Sequence, residues 1–163
     1  MDGAILSLAV AVGRALVDRG AMCATAESCT GGLVAGAITD IPGSSAWFDR
    51  GFVTYTNDAK TEMLDVPAAV LAVHGAVSEA TARAMVAGAL THSAATYAVA
   101  ITGVAGPGGG SPDKPVGLVC FAWAQRGGHV ETAAHRFPGD RAEVRRASVV
   151  TALAGLHALV CAR

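Results

Sequence analysis

A long run without a charged residue, from Ala84 to Pro112, limits what this 163-residue chain can fold into. The run is longer than the roughly 20 apolar residues that a membrane-spanning helix needs. It is interrupted by Thr91-His92-Ser93 and by Gly106–Pro112, and glycine and proline do not continue a helix. We therefore divide the run into a helix, a buried strand and a loop. The start at Met1 lacks the pattern of a secretory signal, so we expect a cytoplasmic protein with no membrane partner.

Composition is typical of a single folded domain covering residues 1–163. Hydrophobic residues make up 52% of the chain, and 12 basic residues face 13 acidic ones. This balance excludes a disordered segment and argues against a nucleic-acid binder, which needs clustered positive charge. The four cysteines form no C-x-x-C pair and the five histidines are scattered, so we expect no metal site.

The order of apolar patterns predicts alternating helices and strands. Helices are predicted over 4–19, from Gly32 to Thr39, over 58–64, after Pro67, over 78–90 and from Asp140 onwards, with Asn57 as the N-cap of the third. Strands are predicted over 22–26, 52–55, 97–102, 116–124 and 130–137. The fold class is therefore α/β: a three-layer α/β/α sandwich with a mixed, mainly parallel sheet and an antiparallel hairpin near the C-terminus.

Ser28 lies at the turn between the first strand and the second helix, where helix N–H groups could bind an oxyanion or a phosphate. Gly31 and Gly32 in the first helical turn suggest close approach by a ligand or another element, because glycine disfavours a helix. In the alternative interpretation, Ser28 or Thr30 is only a helix cap. The motif G-x-S-x-G of α/β-hydrolases is absent.

Lys60 is one of only two lysines among the 12 basic residues. A lysine can lose its proton and act as a base, which an arginine effectively cannot do. With Asn57 as the N-cap, a place near the start of the helix would help to lower its pKa, whereas Asp58 and Glu62 nearby would raise it. Tyr55, five residues earlier, could reach the same pocket. Alternatively, Lys60 is a surface lysine and Tyr55 a half-buried strand tyrosine.

Two further segments could bind an anion. Thr102–Gly110 follows a strand and is glycine-rich, as phosphate-binding loops are, although it matches neither a Walker nor a Rossmann motif. Arg141 and Arg145 lie four residues apart, and therefore on one face of the last helix, where they could bind a phosphate or carboxylate together. An ordinary flexible loop and solvated arginines remain the alternatives.

Five motifs occur in a specific order along the chain. They are Thr25–Gly32, Tyr55–Lys60, His74–Ser78, Ala100–Gly109 and Pro115–Gly117. Together they resemble the CinA C-terminal domain family, whose characterised members are nicotinamide-nucleotide amidases. The resemblance implies the three-layer fold, hydrolysis of nicotinamide mononucleotide to nicotinate mononucleotide and ammonia in pyridine-nucleotide salvage, no metal or organic cofactor, and a homo-oligomer.

The same resemblance assigns site residues. It implies Ser28 as the nucleophile and Lys60 as its base, and we expect Tyr55 to relay or donate a proton. We further expect the amides of Thr30 to Gly32 to bind the oxyanion, and the arginines and glycine loop to bind phosphate and ribose. The candidate substrate-binding residues are Thr30, Gly31, Gly32, Asn57, Thr102, Gly103, Ala105, Gly106, Arg141 and Arg145.

Two alternatives stay open at this point. One is a binding or protein-interaction module without catalysis, linked to competence and DNA damage. The other is a serine–lysine amidohydrolase that acts on another small amide.

Overall fold

The sheet is built from five strands in the spatial order β2-β1-β3-β4-β5. The computed structural model describes residues 2–162. The strands are β1 (Cys23–Glu27), β2 (Phe48–Val53), β3 (Tyr97–Gly103), β4 (Leu118–Gln125) and β5 (Val130–Arg136). β1 pairs in parallel with β2 and β3, and the β3–β4 and β4–β5 pairings are antiparallel. Four strands therefore run in one direction, and β4 and β5 form the hairpin predicted near the C-terminus.

Helices cover both faces of the sheet. They are α1 (Gly3–Arg19), α2 (Leu33–Thr39), α3 (Asn57–Leu64), α4 (Ala68–His74), α5 (Glu79–Thr91) and α6 (Arg141–Cys161), with a 3₁₀ turn at Ser44–Ala46. One hydrophobic cluster combines residues of α1, α2 and α6 with the sheet, and a second combines residues of α5 and the end of α3 with the sheet. The three-layer α/β/α prediction is therefore confirmed.

The two sheet faces differ in side-chain size because residues alternate along each strand. On β4, Phe121 and Trp123 belong to the cluster with α1 and α6, whereas Ala122 and Ala124 belong to the cluster with α5. Small side chains on the second face let α5 approach the sheet closely.

Two boundaries differ from the sequence-based expectations. β2 begins at Phe48 and ends at Val53, earlier than predicted, because it pairs along the whole length of β1. The N-cap of α3 is Thr56, whose hydroxyl accepts a hydrogen bond from the Ala59 amide, so the prediction of Asn57 as cap was wrong by one residue.

α6 is long, at 21 residues, and rich in apolar side chains. Among residues 2–162 it is the one helix long and apolar enough to span a membrane by those two criteria alone. Buried helices of folded domains share these properties. Its buried residues include Val149, Leu153 and Leu156, which lie in the core cluster with α1 and the sheet.

A close contact between α5 and the end of α3 depends on Gly88 of α5. A Cβ atom at Gly88 would lie 1.9 Å from the backbone oxygen of Leu64 at the end of α3. We expect Gly88→Ala to lower the free energy of unfolding by about 1–3 kcal/mol, as overpacked cores do. Gly36→Ala is the control: nothing lies within 4 Å of that position, and alanine should raise stability by about 0.5–1 kcal/mol. Urea unfolding measures both, and a neutral Gly88→Ala would contradict this packing.

Candidate active site

A cavity of about 300 Å³ opens beyond the carboxyl ends of β1 and β3. Its lining residues are Ser28, Cys29, Tyr55, Asn57, Lys60, Ala76, Val77, Thr102–Gly106, Gly108, Gly109 and Arg141. The chain leaves β1 for β2 on one side and returns to β3 on the other. Open α/β sheets bind their ligands at such positions.

Ser28 and Lys60 meet at the bottom of this cavity. Lys60 Nζ lies 3.1 Å from Ser28 Oγ and 3.2 Å from the Thr54 carbonyl oxygen. The Lys60 side chain is 1% exposed, and no carboxylate of residues 2–162 forms a salt bridge with it. The structure thus brings together the two residues for which the resemblance implied the roles of nucleophile and base.

Burial lowers the pKa of Lys60, because a charged amine loses its hydration in the interior. A charge on Cys29 would oppose this shift, but burial raises the pKa of the Cys29 thiol to about 11. The thiol is therefore neutral near pH 7. A lowered pKa makes the neutral amine easier to reach, and a neutral amine at hydrogen-bond distance from a hydroxyl can accept its proton, which is what an activated serine requires.

The start of α2 differs from the sequence-based expectation. The helix begins at Leu33, and the preceding Gly31 and Gly32 have φ angles of 58° and 102°, which favour glycine. The buried Glu27 carboxylate accepts hydrogen bonds from the Val34 amide at 2.9 Å and the Ala35 amide at 3.0 Å. These helix amides are therefore already occupied and do not face a substrate.

Sequence reasoning missed Glu27. The available signal was a charged residue at the end of an apolar strand, followed by a helix that has glycine at its N-cap. Such a helix lacks the side-chain acceptor that Ser, Thr, Asp or Asn would supply at this position.

Tyr55 and Arg141 lie at the mouth of the cavity. Arg141 donates hydrogen bonds to the Gly106 carbonyl oxygen at 2.8 Å and to Tyr55 Oη at 3.0 Å. Tyr55 is 57% exposed, and Asn57 is also exposed beside it. Arg141 thus links the glycine loop to the segment that leads into α3.

The glycine loop forms the opposite wall. Thr102 Oγ1 donates to the Ala76 carbonyl oxygen at 2.8 Å. A Cβ atom at Gly103 would lie 2.9 Å from the Leu118 backbone oxygen, so glycine is required for close approach of the two strands. Ala105 and Gly106, two of the candidate substrate-binding residues, also line this wall.

Four predicted site residues lie outside the lining of this cavity: Thr30, Gly31, Gly32 and Arg145. Arg145 Nε donates to the Cys29 carbonyl oxygen at 3.1 Å, and its Nη2 lies 3.4 Å from the Thr30 carbonyl oxygen. Its guanidinium and Gly32 line a different, larger cavity of about 440 Å³ between α1, α2 and α6. We place the chemistry in the smaller cavity, because only that one contains the Ser28–Lys60 pair.

No group of three or more metal-ligating side chains occurs in the part of the chain that the structure describes. The cysteines are free thiols, and three of them are buried.

The fold and the site define a class of α/β protein in which a serine at a strand-to-helix turn lies against a buried lysine. The chain belongs to the CinA C-terminal domain family, because that family's sequence model matches residues 5–160. It is 55% identical over 93% of its length to the nicotinamide-nucleotide amidohydrolase PncC of Escherichia coli K12, of which the match covers 92%. The enzyme of the same name from Pseudomonas putida is 52% identical, over 93% of this chain and 94% of the relative.

A solved structure supports the same relationship. The competence/damage inducible protein CihA from Agrobacterium tumefaciens superposes with a TM-score of 0.96 and 54% identity. The match covers 98% of this chain and 97% of that one.

The lowered pKa of Lys60 makes stability depend on pH. Between the folded and unfolded pKa values the unfolded chain keeps a proton that the folded chain has released, so stability rises with pH. We expect the free energy of unfolding of the wild type to rise relative to that of Lys60→Met across this interval, and the difference to be constant below it. Urea unfolding at a series of pH values up to the ordinary lysine pKa of about 10.4 measures this slope, and a flat difference would contradict the lowered pKa.

Proposed function

We propose that this protein hydrolyses the carboxamide of nicotinamide mononucleotide to nicotinate mononucleotide and ammonia, in pyridine-nucleotide salvage. The observation that carries the proposal is the buried Ser28 Oγ–Lys60 Nζ pair at 3.1 Å. The choice of substrate is supported by relatives named nicotinamide-nucleotide amidohydrolase, which are 52–55% identical over most of the chain.

The proposed reaction has two halves. Neutral Lys60 accepts the proton of Ser28 as Oγ attacks the carboxamide carbon, giving a tetrahedral oxyanion. Its collapse breaks the carbon–nitrogen bond, and the Lys60 ammonium returns the proton so that ammonia leaves. Water then attacks the resulting ester with Lys60 again as the base, and nicotinate mononucleotide and free Ser28 result. The reaction consumes only water, so we expect no cofactor.

The oxyanion requires N–H donors that are not already in use. The Gly31 amide donates to the Ser28 carbonyl oxygen, whereas the amides of Cys29, Thr30 and Gly32 have no backbone acceptor among residues 2–162. Of these three we assign the oxyanion to the Cys29 and Thr30 amides, which directly follow Ser28 in the chain. Cys29 lines the cavity, which supports the assignment.

Arg141 is the residue that we assign to the substrate phosphate. It is exposed at the mouth of the cavity and is the only arginine among residues 2–162 that lines it. A guanidinium can donate two parallel hydrogen bonds to phosphate. We assign Tyr55 to proton relay at the leaving group, and Asn57, Thr102 and the glycine loop to ribose and ring contacts. A cytoplasmic homo-oligomer remains our expectation for the assembled protein.

Ammonia release tests the proposed reaction. We expect the wild type to convert nicotinamide mononucleotide to nicotinate mononucleotide and ammonia, and Ser28→Ala to lose at least ~10³-fold in kcat, because the nucleophile acts as one unit with its base. The control is Ser44→Ala, since Ser44 is buried to the same 7% exposure but lies outside the cavity lining.

Three outcomes decide between the alternatives. Release that survives in Ser28→Ala would refute the mechanism. Release from other small amides but not from the nucleotide would indicate a different substrate. No release from any amide would favour a binding module.

The phosphate assignment has its own test. We expect Arg141→Met to raise KM for nicotinamide mononucleotide by about tenfold or more, because one charge-assisted contact is lost. The same variant should change the much weaker turnover of nicotinamide riboside far less, since the riboside has no phosphate. An equal loss with both substrates would place Arg141 in the architecture of the mouth and not on the phosphate.

A further inference from the structure

The residues that connect β1 to α2 form the segment that we call the Ser28 turn (residues 28–32). Two of its residues, Gly31 and Gly32, have positive φ angles, and its internal backbone hydrogen bonds run from the Gly31 amide to Ser28 and from Leu33 to Thr30. A turn rich in glycine has access to many backbone conformations. Contacts from outside the turn must therefore determine where Ser28 Oγ lies.

Glu27 supplies the first of these contacts. It is 1% exposed, and its two carboxylate oxygens accept the amides of Val34 and Ala35 at 2.9 Å and 3.0 Å. Because Glu27 directly precedes Ser28, these bonds join the end of β1 to the first turn of α2 across the Ser28 turn. The partial positive charge at the start of the helix stabilises the buried carboxylate.

Arg145 supplies the second contact from α6. Its guanidinium reaches the carbonyl oxygens of Cys29 at 3.1 Å and Thr30 at 3.4 Å. In a planar trans peptide the N–H points opposite to the carbonyl oxygen. By fixing the Cys29 carbonyl, Arg145 therefore also fixes the direction of the Thr30 amide, one of the two groups that we assign to the oxyanion.

We propose that Glu27 and Arg145 are positioning residues that hold the Ser28 turn from two sides and thereby set the rate of acylation. Neither side chain lines the cavity that contains Ser28 and Lys60. They act through Ser28 and the Thr30 amide, so this inference rests on the proposed function. A misplacement of reacting groups by about 1 Å can reduce a rate by roughly 10²-fold.

A positioning role and a phosphate-binding role for Arg145 predict different effects on kcat and KM. A residue that orients the nucleophile lowers kcat and leaves KM nearly unchanged, whereas a residue that binds phosphate raises KM. The two arginines of α6, Arg141 and Arg145, are therefore expected to give opposite kinetic signatures, although they lie one helical turn apart.

The experiment compares two pairs of variants, each with a matched control. Glu27→Gln is compared with Glu62→Gln, because Glu62 is exposed on α3. Arg145→Met is compared with Arg146→Met, because Arg146 is exposed on α6 and forms a salt bridge with Asp2. We expect kcat for nicotinamide mononucleotide to fall about tenfold or more in Glu27→Gln and Arg145→Met, with KM within about twofold of the wild type. Both controls should retain wild-type values.

A conservative variant separates positioning from simple loss of fold. Arg145→Lys keeps the charge and can donate to one carbonyl at a time, so we expect it to recover part of the lost kcat. Thermal unfolding of every variant identifies chains that no longer fold. A kcat within twofold of wild type in both Glu27→Gln and Arg145→Met, or a raised KM with unchanged kcat in Arg145→Met, would overturn the inference.

Labelling of Ser28 by a fluorophosphonate separates this inference from the proposed substrate. A wild type that is labelled at Ser28 but releases no ammonia from the nucleotide would refute the substrate, and slower labelling of Glu27→Gln and Arg145→Met would still support positioning. Equal labelling rates in all variants would overturn positioning. A wild type that shows neither labelling nor release would contradict Ser28 as the nucleophile and would overturn the inference.

Discussion

The whole site depends on one buried contact, the approach of the Lys60 amine to the Ser28 hydroxyl. A buried amine without a carboxylate partner is costly as a cation, so the interior favours its neutral form. Three further contacts determine where this amine lies. The Thr56 hydroxyl caps the start of α3, and the Thr54 carbonyl oxygen accepts a hydrogen bond from the amine. Gly88 lets α5 pack against the end of α3. The same burial that opposes the charge thus favours the role of base that we propose for Lys60.

The sheet topology explains why residues far apart in the sequence share one cavity. The carboxyl ends of β1 and β3 are neighbours, so the Ser28 turn and the glycine loop meet there. The first two turns of α6 lie near both segments. Arg141 donates a hydrogen bond to the Gly106 carbonyl oxygen of the glycine loop, and Arg145 donates one to the Cys29 carbonyl oxygen of the Ser28 turn. One helix therefore contacts both the entrance to the site and the support of its proposed nucleophile.

Much of this arrangement was predictable from local patterns. The order of apolar patterns predicted the helices and strands, and the resemblance implied the roles of Ser28 and Lys60. Three features were not predicted, because each depends at least in part on tertiary contacts. Thr56 and Asn57 are both good caps, and local preference does not choose between them. Glu27 lies at the end of a strand, and its carboxylate accepts the Val34 and Ala35 amides only when α2 packs over it. Helical spacing places Arg141 and Arg145 on one face but does not say which neighbours they reach.

Cys29, next to the proposed nucleophile, has a consequence for the response of this site to oxidants. Thiols are oxidised and alkylated as thiolates, and the pKa of about 11 keeps the Cys29 thiol protonated at neutral pH. The Cys23 and Cys120 thiols are also buried, with pKa values raised to about 12 and about 11. Only Cys29 of these three lines the cavity. With an alcohol as the proposed nucleophile and a protonated thiol next to it, we expect the site to keep its activity under peroxide levels that inactivate thiolate enzymes.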